Sequence, residues 1–189
     1  ATLAALEWRR TRPRARADSP ARATWLPATV LDLDWRESLW TSSLDYAREV
    51  AEAARWADVV LGGESEFEVA GLDPEAVLRS GVSVVGGKRG PGGALVLARG
   101  GLRQSVSGVP APVINGLGAG DAFAAAFGAG LLLGLDPAAA VERGNAAGAI
   151  VASRLSCSTA MPRLSELEAV LSGMRIQDLT APSSDQRVG

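Results

Sequence analysis

The sequence predicts an α/β fold built on a parallel sheet. From residue 28 onward, short β-branched runs alternate with Ala- and Leu-rich stretches, the pattern of strands joined by crossover helices. A glycine-rich turn at residues 115–120 then leads directly into a long apolar stretch of helical composition. The 189 residues, 47% of them hydrophobic, suffice for one globular domain.

The predicted elements follow from local signals. Three strands are expected at residues 29–33, 58–61 and 82–85, and residues 94–98 and 102–106 read as a hairpin joined by a Gly-Gly turn. Helices are expected at residues 42–56, 64–70, 73–79, 119–133, 137–154 and 165–172. Val113 and Ile114 are strand-like and precede the glycine-rich turn.

The composition divides the chain into three parts. Residues 1–27 carry six arginines, two acids and three prolines, which indicates an irregular segment with a short helix over residues 2–10. A basic arm that meets an anionic partner is the alternative for this segment. Residues 28–173 form the folded part, and residues 174–189 have tail composition, with no structure expected after Asp178.

Several classes of protein are excluded. No apolar run approaches the roughly 18 residues of a membrane span. The net charge is −2, and the residues after position 27 do not provide the basic surface that binding to nucleic acid requires. The single cysteine, Cys157, cannot form an internal disulfide, so the cytoplasm is the expected compartment.

The chain contains no histidine, which limits its acid–base chemistry. A Ser-His-Asp triad, a Cys-His pair and any histidine-based zinc site are excluded. Proton transfer therefore falls to carboxylates or to Lys88, the only lysine, because arginine stays charged at working pH.

The segment 115–121, Asn-Gly-Leu-Gly-Ala-Gly-Asp, carries the strongest chemical signal. A glycine-rich turn at a helix N-terminus points backbone N–H groups at an anion, and glycine lets phosphate oxygens approach. Gly118, Ala119 and Gly120 would form this cradle, and Asp121 in the first turn could orient an acceptor hydroxyl and take its proton. The alternative is a tight turn in which Asp121 serves only the helix dipole. Neither a Walker loop nor a dinucleotide fingerprint fits.

This segment resembles the signature of the ribokinase-like (PfkB) carbohydrate kinases. Residues 60–70, 84–93 and 145–153 are similar, in the family's order, to its N-x-x-E segment, its K-x-G-x-x-G element and the helix that lines its adenine pocket. The resemblance covers residues 28–171. It implies a ribokinase-like three-layer α/β/α fold with a mostly parallel sheet.

The resemblance also implies site residues. Asp121 matches the catalytic base, and Gly118, Ala119 and Gly120 match the anion hole. Glu66 matches the glutamate that positions Mg²⁺, and Asp32 and Arg36 lie, with Asp121, toward the substrate. The residues implied for the ATP side are Lys88, Gly90, Gly93 and Asn145.

The sequence departs from the family pattern at several points. Gly63 replaces the asparagine of N-x-x-E, Asn115-Gly116 replaces the opening Asp-Thr, and Asp34 stands where the family usually has asparagine. No glycine-pair sugar motif and no lid sheet precede residue 28, so the chain is expected to represent the C-terminal half, without the N-terminal strands and lid. Such a half exposes a sheet edge, which predicts association into homo-oligomers or with a complementing N-terminal half.

The implied activity is ATP- and Mg²⁺-dependent phosphorylation of a primary hydroxyl on a sugar or sugar acid. Residues 31–40 and 156–162 resemble most the branch that acts on 5-dehydro-2-deoxygluconate, in inositol catabolism. Ribose, fructose or 2-keto-3-deoxygluconate are the alternative acceptors, and some relatives also require a monovalent cation. The alternative from another class is a nucleotide-binding fragment without catalytic activity.

Overall fold

A five-stranded sheet forms the centre of the protein. The computed structural model describes residues 4–5 and 29–179, so the predicted helix over residues 2–10 and the C-terminal tail lie largely outside the described residues. The strands run in the order β1 to β5, with β1, β2 and β3 parallel and β4 and β5 added as an antiparallel hairpin. Their bounds are Val30–Asp32, Val59–Gly63, Val84–Lys88, Ala94–Ala98 and Leu102–Val106.

Within residues 29–179, six α-helices accompany the sheet. They are α1 (Ser43–Ala54), α2 (Glu64–Val69), α3 (Pro74–Arg79), α4 (Ala119–Leu132), α5 (Pro137–Ala152) and α6 (Leu164–Leu171). Side chains of Ser42, Asp73 and Asp136 accept hydrogen bonds from first-turn N–H groups and so begin α1, α3 and α5. None of the described helices is long and apolar enough to span a bilayer.

Helices cover both faces of the sheet, which confirms the predicted three-layer α/β/α fold. On one face Val59, Val84 and Val96 pack against α4 and α5. On the other face Val60 and Val85 pack against α1, α2 and α3. Because the central strands are buried on both sides, they read as short continuous apolar runs rather than as alternating ones.

The predicted strand ends were wrong for β2 and β3, which continue to Gly63 and Lys88. Glycine weakens a strand in isolation, but here it leaves room for neighbouring side chains. A Cβ at Gly62 would lie 2.6 Å from Leu33 Cδ1, and one at Gly86 would lie 2.6 Å from Leu61 Cδ2. The two strands can therefore carry residues 63 and 88 to the edge where the polar groups gather.

The expected strand character of Val113 and Ile114 is also wrong. Both side chains are exposed, and the N–H groups of Ile114 and Asn115 donate to the carbonyl of Ala152, at the end of α5, over 2.8 and 3.1 Å. This segment is thus held by a helix end, while the hairpin, β4 and β5, has its predicted bounds.

Strand β1 lies at the edge of the sheet. Within residues 29–179 it pairs only with β2, and Val30 on it is 44% exposed. This agrees with the open sheet edge expected from the sequence.

Small residues bring α4 and α5 into close contact. A Cβ at Gly144 would lie 2.8 Å from the Phe123 ring, and one at Gly130 would lie 3.1 Å from Ala140. These glycines let the two helices pack against each other and, as one layer, against the sheet.

We expect Gly144→Ala to lower the free energy of unfolding by about 1–2 kcal/mol relative to Gly128→Ala, because overpacking strains the helix pair. Gly128 is the matched control: it lies in α4, and nothing lies within 4 Å of its added Cβ. Urea unfolding measures both. Equal midpoints for the two variants would show that the contact with Phe123 is not tight.

Tyr46, the only tyrosine, fixes the end of β1. Its hydroxyl donates to the carbonyl of Leu33 over 3.0 Å, and Trp35 and Trp40 pack against its ring, which is 1% exposed. Burial, together with the nearby carboxylates, raises the pKa of Tyr46 to about 12.

Absorbance titration of tyrosinate tests this environment. We expect Tyr46 to ionise near pH 12 in the folded protein and near pH 10 in the unfolded chain. Because the folded pKa is the higher one, the stability from this hydroxyl is complete below about pH 10 and is lost as pH rises through the folded pKa. Ionisation near pH 10 in protein that is still folded would contradict the packing.

Candidate active site

The carboxyl ends of β1, β2 and β3 and the N-terminus of α4 meet around one cavity. We call it the polar cavity; its volume is about 330 Å³, and its wall contains every ionisable residue that the sequence assigned to substrate, base or metal. These residues are Asp32, Arg36, Glu66 and Asp121. In parallel sheets the strand ends place side chains at a common edge, which explains how residues 32 and 88 come together.

Lys88 lies at the centre of the charged groups. Its Nζ donates to both carboxylate oxygens of Asp32, over 2.7 and 2.9 Å, and lies 3.7 Å from Oε2 of Glu66. The three side chains are largely buried, with 17–26% of each exposed. Burial raises the pKa of Asp32 above its ordinary value, against the opposing effect of the Lys88 ammonium.

Arg36 is held by a different acid. Its Nε and Nη2 approach Oδ1 of Asp34 at 2.9 and 2.8 Å, and this contact raises the pKa of the guanidinium. Asp34 has a φ of 38°, the only positive φ of a non-glycine residue in the described chain. Both cations of the cavity are thus paired with acids.

Glu66 caps the helix that carries it. Its Oε2 accepts from the N–H of Gly63 over 2.5 Å, so the carboxylate turns back to the start of α2. Gly63 has an ordinary φ of −76°, and an added Cβ would lie 3.5 Å from Oε2. The position where the family pattern has asparagine can therefore hold a side chain.

The glycine-rich turn presents free backbone donors. Gly118 has a φ of 83°, and α4 starts at the next residue. The N–H of Ala119 donates to the carbonyl of Gly116 over 3.2 Å. In the described part of the chain the N–H groups of Gly118, Gly120 and Asp121 have no such partner. Of the predicted cradle, Ala119 is therefore already engaged, and the Asp121 amide is an additional donor.

Asp121 differs from the other carboxylates of the cavity. It lies in the first turn of α4 with an exposed side chain. Within residues 29–179 no hydrogen bond or ion pair engages it, whereas Asp32, Asp34 and Glu66 each have a partner. Among the described carboxylates of the cavity, Asp121 is therefore the one available to accept a hydrogen bond from a bound group.

A second cavity, which we call the apolar cavity, adjoins the first. It measures about 510 Å³, and its walls are mainly apolar, with Val109, Pro110 and Ala149 among them. Lys88, Gly116 and Gly120 line both cavities. The glycine-rich turn and Lys88 therefore stand at the junction of an apolar site and a charged one.

The residues predicted for the ATP side all line the apolar cavity. They are Lys88, Gly90, Gly93 and Asn145. Nδ2 of Asn145 donates to the carbonyls of Ser107 and Val106 over 2.9 and 3.3 Å, so this amide fixes the loop after β5. Gly93 is required by packing, because a Cβ there would lie 2.0 Å from the Val106 carbonyl oxygen.

Sequence reasoning missed part of both walls. Leu117 and Gly116 line the polar cavity, and Cys157 lies behind Gly118, where an added Cβ would approach its Sγ to 2.7 Å. The cavity wall at residues 108–111 has no secondary structure and carries no motif. For the part of the wall formed by α5, the only signal in the sequence was the three-residue spacing of Asn145 and Gly148, which places both on one face of the helix.

The donors present fit a Mg²⁺ ion held chiefly by phosphates. No group of three or more His, Cys, Asp or Glu side chains arranged to hold a metal occurs among the described residues. Mg²⁺ often takes one or two carboxylates and fills its octahedron with water and phosphate oxygens. Glu66, within the cavity, can contribute one such carboxylate.

We expect Gly118→Ala to lower the free energy of unfolding by about 1–3 kcal/mol, because it adds a left-handed alanine and a clash with Cys157. Gly116→Ala is the control, since nothing lies within 4 Å of its added Cβ. Adding Cys157→Ala should restore part of the loss. Full stability of Gly118→Ala in urea unfolding would contradict the turn geometry.

The sequence of the chain defines its class. A profile described as pfkB family carbohydrate kinase matches residues 21–164, and the chain therefore belongs to this family. The chain is 33% identical over 150 residues to 5-dehydro-2-deoxygluconokinase of Clostridium tetani, covering 74% of this chain and 44% of that protein. It is 31% identical over 175 residues to the enzyme of the same name from Bacillus licheniformis, covering 83% and 54%. The chain spans about half the length of these relatives.

Solved structures show the same fold. Fructokinase from Vibrio cholerae O395, with fructose, ADP and calcium bound, superposes with a TM-score of 0.65 at 29% identity, covering 74% of this chain and 49% of that one. An E. coli protein described as ribokinase II, with ATP and Mg²⁺ bound, gives a TM-score of 0.64 at 28% identity, covering 75% and 47%. The ribokinase-like architecture expected from the sequence is confirmed.

Proposed function

We propose that the chain is the nucleotide-binding and catalytic half of an ATP-dependent kinase that phosphorylates a primary hydroxyl of a sugar or sugar acid. The observation that carries the proposal is the shared wall. Lys88 and the glycine-rich turn border an apolar cavity and a charged one. Asp121 stands on the charged side, and no hydrogen bond or ion pair among the described residues engages its carboxylate. A phosphoryl group at this junction would have the nucleotide that donates it on one side and the hydroxyl that accepts it on the other.

The apolar cavity suits the adenine base and its ribose. Its apolar lining and its volume of about 510 Å³ are typical of a small-molecule site. Gly90, Gly93 and Asn145 would shape the nucleotide side, and the unpartnered amides at the start of α4 would meet phosphate oxygens. Their donors would stabilise charge as it develops during transfer.

The charge balance of the polar cavity supports a requirement for Mg²⁺. Its wall holds four carboxylates and two cations, and each cation already has an acid partner. A triphosphate would be repelled unless a divalent cation neutralised part of its charge. Glu66 would hold the ion together with phosphate oxygens, and the ion would supply charge neutralisation.

Asp121 would act as the base. The acceptor oxygen forms the new bond to the γ-phosphorus, the bond from that phosphorus to the bridging oxygen breaks, and the hydroxyl proton passes to the Asp121 carboxylate. Lys88, whose Nζ would lie 3.7 Å from a Cβ added at Gly120, would contact the transferred group, while Asp32 holds its ammonium in place.

The preferred acceptor is 5-dehydro-2-deoxygluconate, since relatives of that name reach 31–33% identity. Ribose, fructose and 2-keto-3-deoxygluconate are the alternatives. A nucleotide-binding fragment without catalytic activity is the second candidate function. Gly63, which replaces the asparagine of the N-x-x-E segment, favours it.

Asp121→Asn tests the assigned base. The variant keeps the side-chain shape, so calorimetry should show Mg–ATP binding within about twofold of the wild type. Formation of sugar phosphate, measured by mass spectrometry, should fall at least about 100-fold. Asp45→Asn, on α1 and outside both cavities, is the control and should change neither.

The possible outcomes separate the two candidate functions. Comparable turnover by Asp121→Asn would show that another group takes the proton. Mg–ATP binding without transfer by the wild-type chain would instead favour the nucleotide-binding fragment. A folded wild-type chain that does not bind Mg–ATP would overturn both.

A further inference from the structure

We propose that Asp34 is a specificity-determining residue: it competes with a substrate carboxylate for Arg36 and so lowers the preference of the polar cavity for sugar acids over uncharged sugars. This inference rests on the proposed function, because it takes the polar cavity as the acceptor site. The inference concerns whether the acceptor is charged or uncharged, and the roles proposed for Asp121 and Lys88 do not decide this.

The ion pair places Asp34 on one edge of the Arg36 guanidinium. Arg36 directs both Nε and Nη2 at one oxygen of Asp34, over 2.9 and 2.8 Å. This edge of the guanidinium is one that binds carboxylates with two parallel hydrogen bonds. A substrate carboxylate can use it only by displacing Asp34.

The polar cavity offers no other uncommitted cation among the described residues. Lys88, the other positive group of its wall, is bound by Asp32 and lies near Glu66. An incoming carboxylate therefore enters a cavity whose wall has four carboxylates and only two cations, so its net charge is negative and repels the substrate. An uncharged sugar meets no such repulsion and can hydrogen-bond to the same acids through its hydroxyls.

The size of the effect follows from exposure. Arg36 and Asp34 are 53% and 57% exposed, and exposed pairs are only weakly favourable. A substrate carboxylate can therefore displace Asp34. The competition lowers the affinity for a sugar acid, relative to an uncharged sugar, by a factor of about three to ten and does not abolish binding.

The local backbone provides a clean variant. Asp34 adopts a left-handed φ of 38°, a region that asparagine tolerates as well as aspartate does. Asp34→Asn thus removes the charge while keeping the shape of the turn after β1. Glu37→Gln is the matched control, because it removes the same charge from an exposed residue nearby that does not line the cavity.

Two probes isolate the carboxylate. D-gluconate and D-sorbitol have the same carbon chain and differ at C1, which is a carboxylate in one and a hydroxymethyl group in the other. Titrations of both, followed through the Arg36 side-chain Nε–H signal and backbone amide signals by NMR, give the ratio of their dissociation constants for each variant.

We expect Asp34→Asn to favour gluconate over sorbitol by about three- to tenfold relative to the wild type. Glu37→Gln should change the ratio less than about twofold. The double variant Asp34→Asn/Arg36→Gln should lose the gain. An unchanged ratio in Asp34→Asn, undetectable gluconate binding to that variant, or a gain that survives loss of Arg36 would each overturn the inference.

Mg–ATP binding measured on the same samples separates this inference from the proposed function. Binding of Mg–ATP together with an unchanged gluconate-to-sorbitol ratio overturns the role of Asp34 alone. Loss of Mg–ATP binding together with the expected change in ratio overturns the proposed kinase and leaves the competition for Arg36 standing.

Discussion

The ion pair between Lys88 and Asp32 is the contact on which the site depends. It joins the ends of β1 and β3, and it holds the only lysine of the chain between two cavities. A largely buried ammonium requires carboxylate partners, and breaking such a pair leaves an uncompensated charge. The positions of Glu66 and the glycine-rich turn are constrained accordingly, because both border the same ammonium.

Close backbone approach makes this arrangement possible. Gly62 and Gly86 let apolar side chains pack over β2 and β3, so the strands continue far enough to place Gly63 and Lys88 at the cavity. Gly144 and Gly130 do the same for the helix pair that carries the glycine-rich turn. These small residues thus permit close packing along the sheet and within the helix pair, and this packing positions the charged groups.

Much of the fold could be predicted from local patterns, whereas the site could be predicted only in part. The hairpin and the long helices follow from turn chemistry and apolar composition, but the ends of β2 and β3 depend on tertiary contacts of glycine that no local propensity reports. The motif identified Asp121 and the turn. The packing of Cys157 behind Gly118 arises only when distant segments meet. The pairing of Arg36 with Asp34 and the engagement of the Ala119 amide by Gly116 are local contacts that depend on turn conformations, which the residue types alone do not specify.

The central claim is that nucleotide phosphates lie at the junction of the two cavities. Backbone amide NMR spectra recorded during titration with Mg–ATP test it most directly. The amides of Gly118, Gly120 and Asp121, together with Lys88, should shift strongly, and those of α6, which lines neither cavity, should not. Saturable binding that moves other amides but leaves the glycine-rich turn and Lys88 unchanged would contradict the claim.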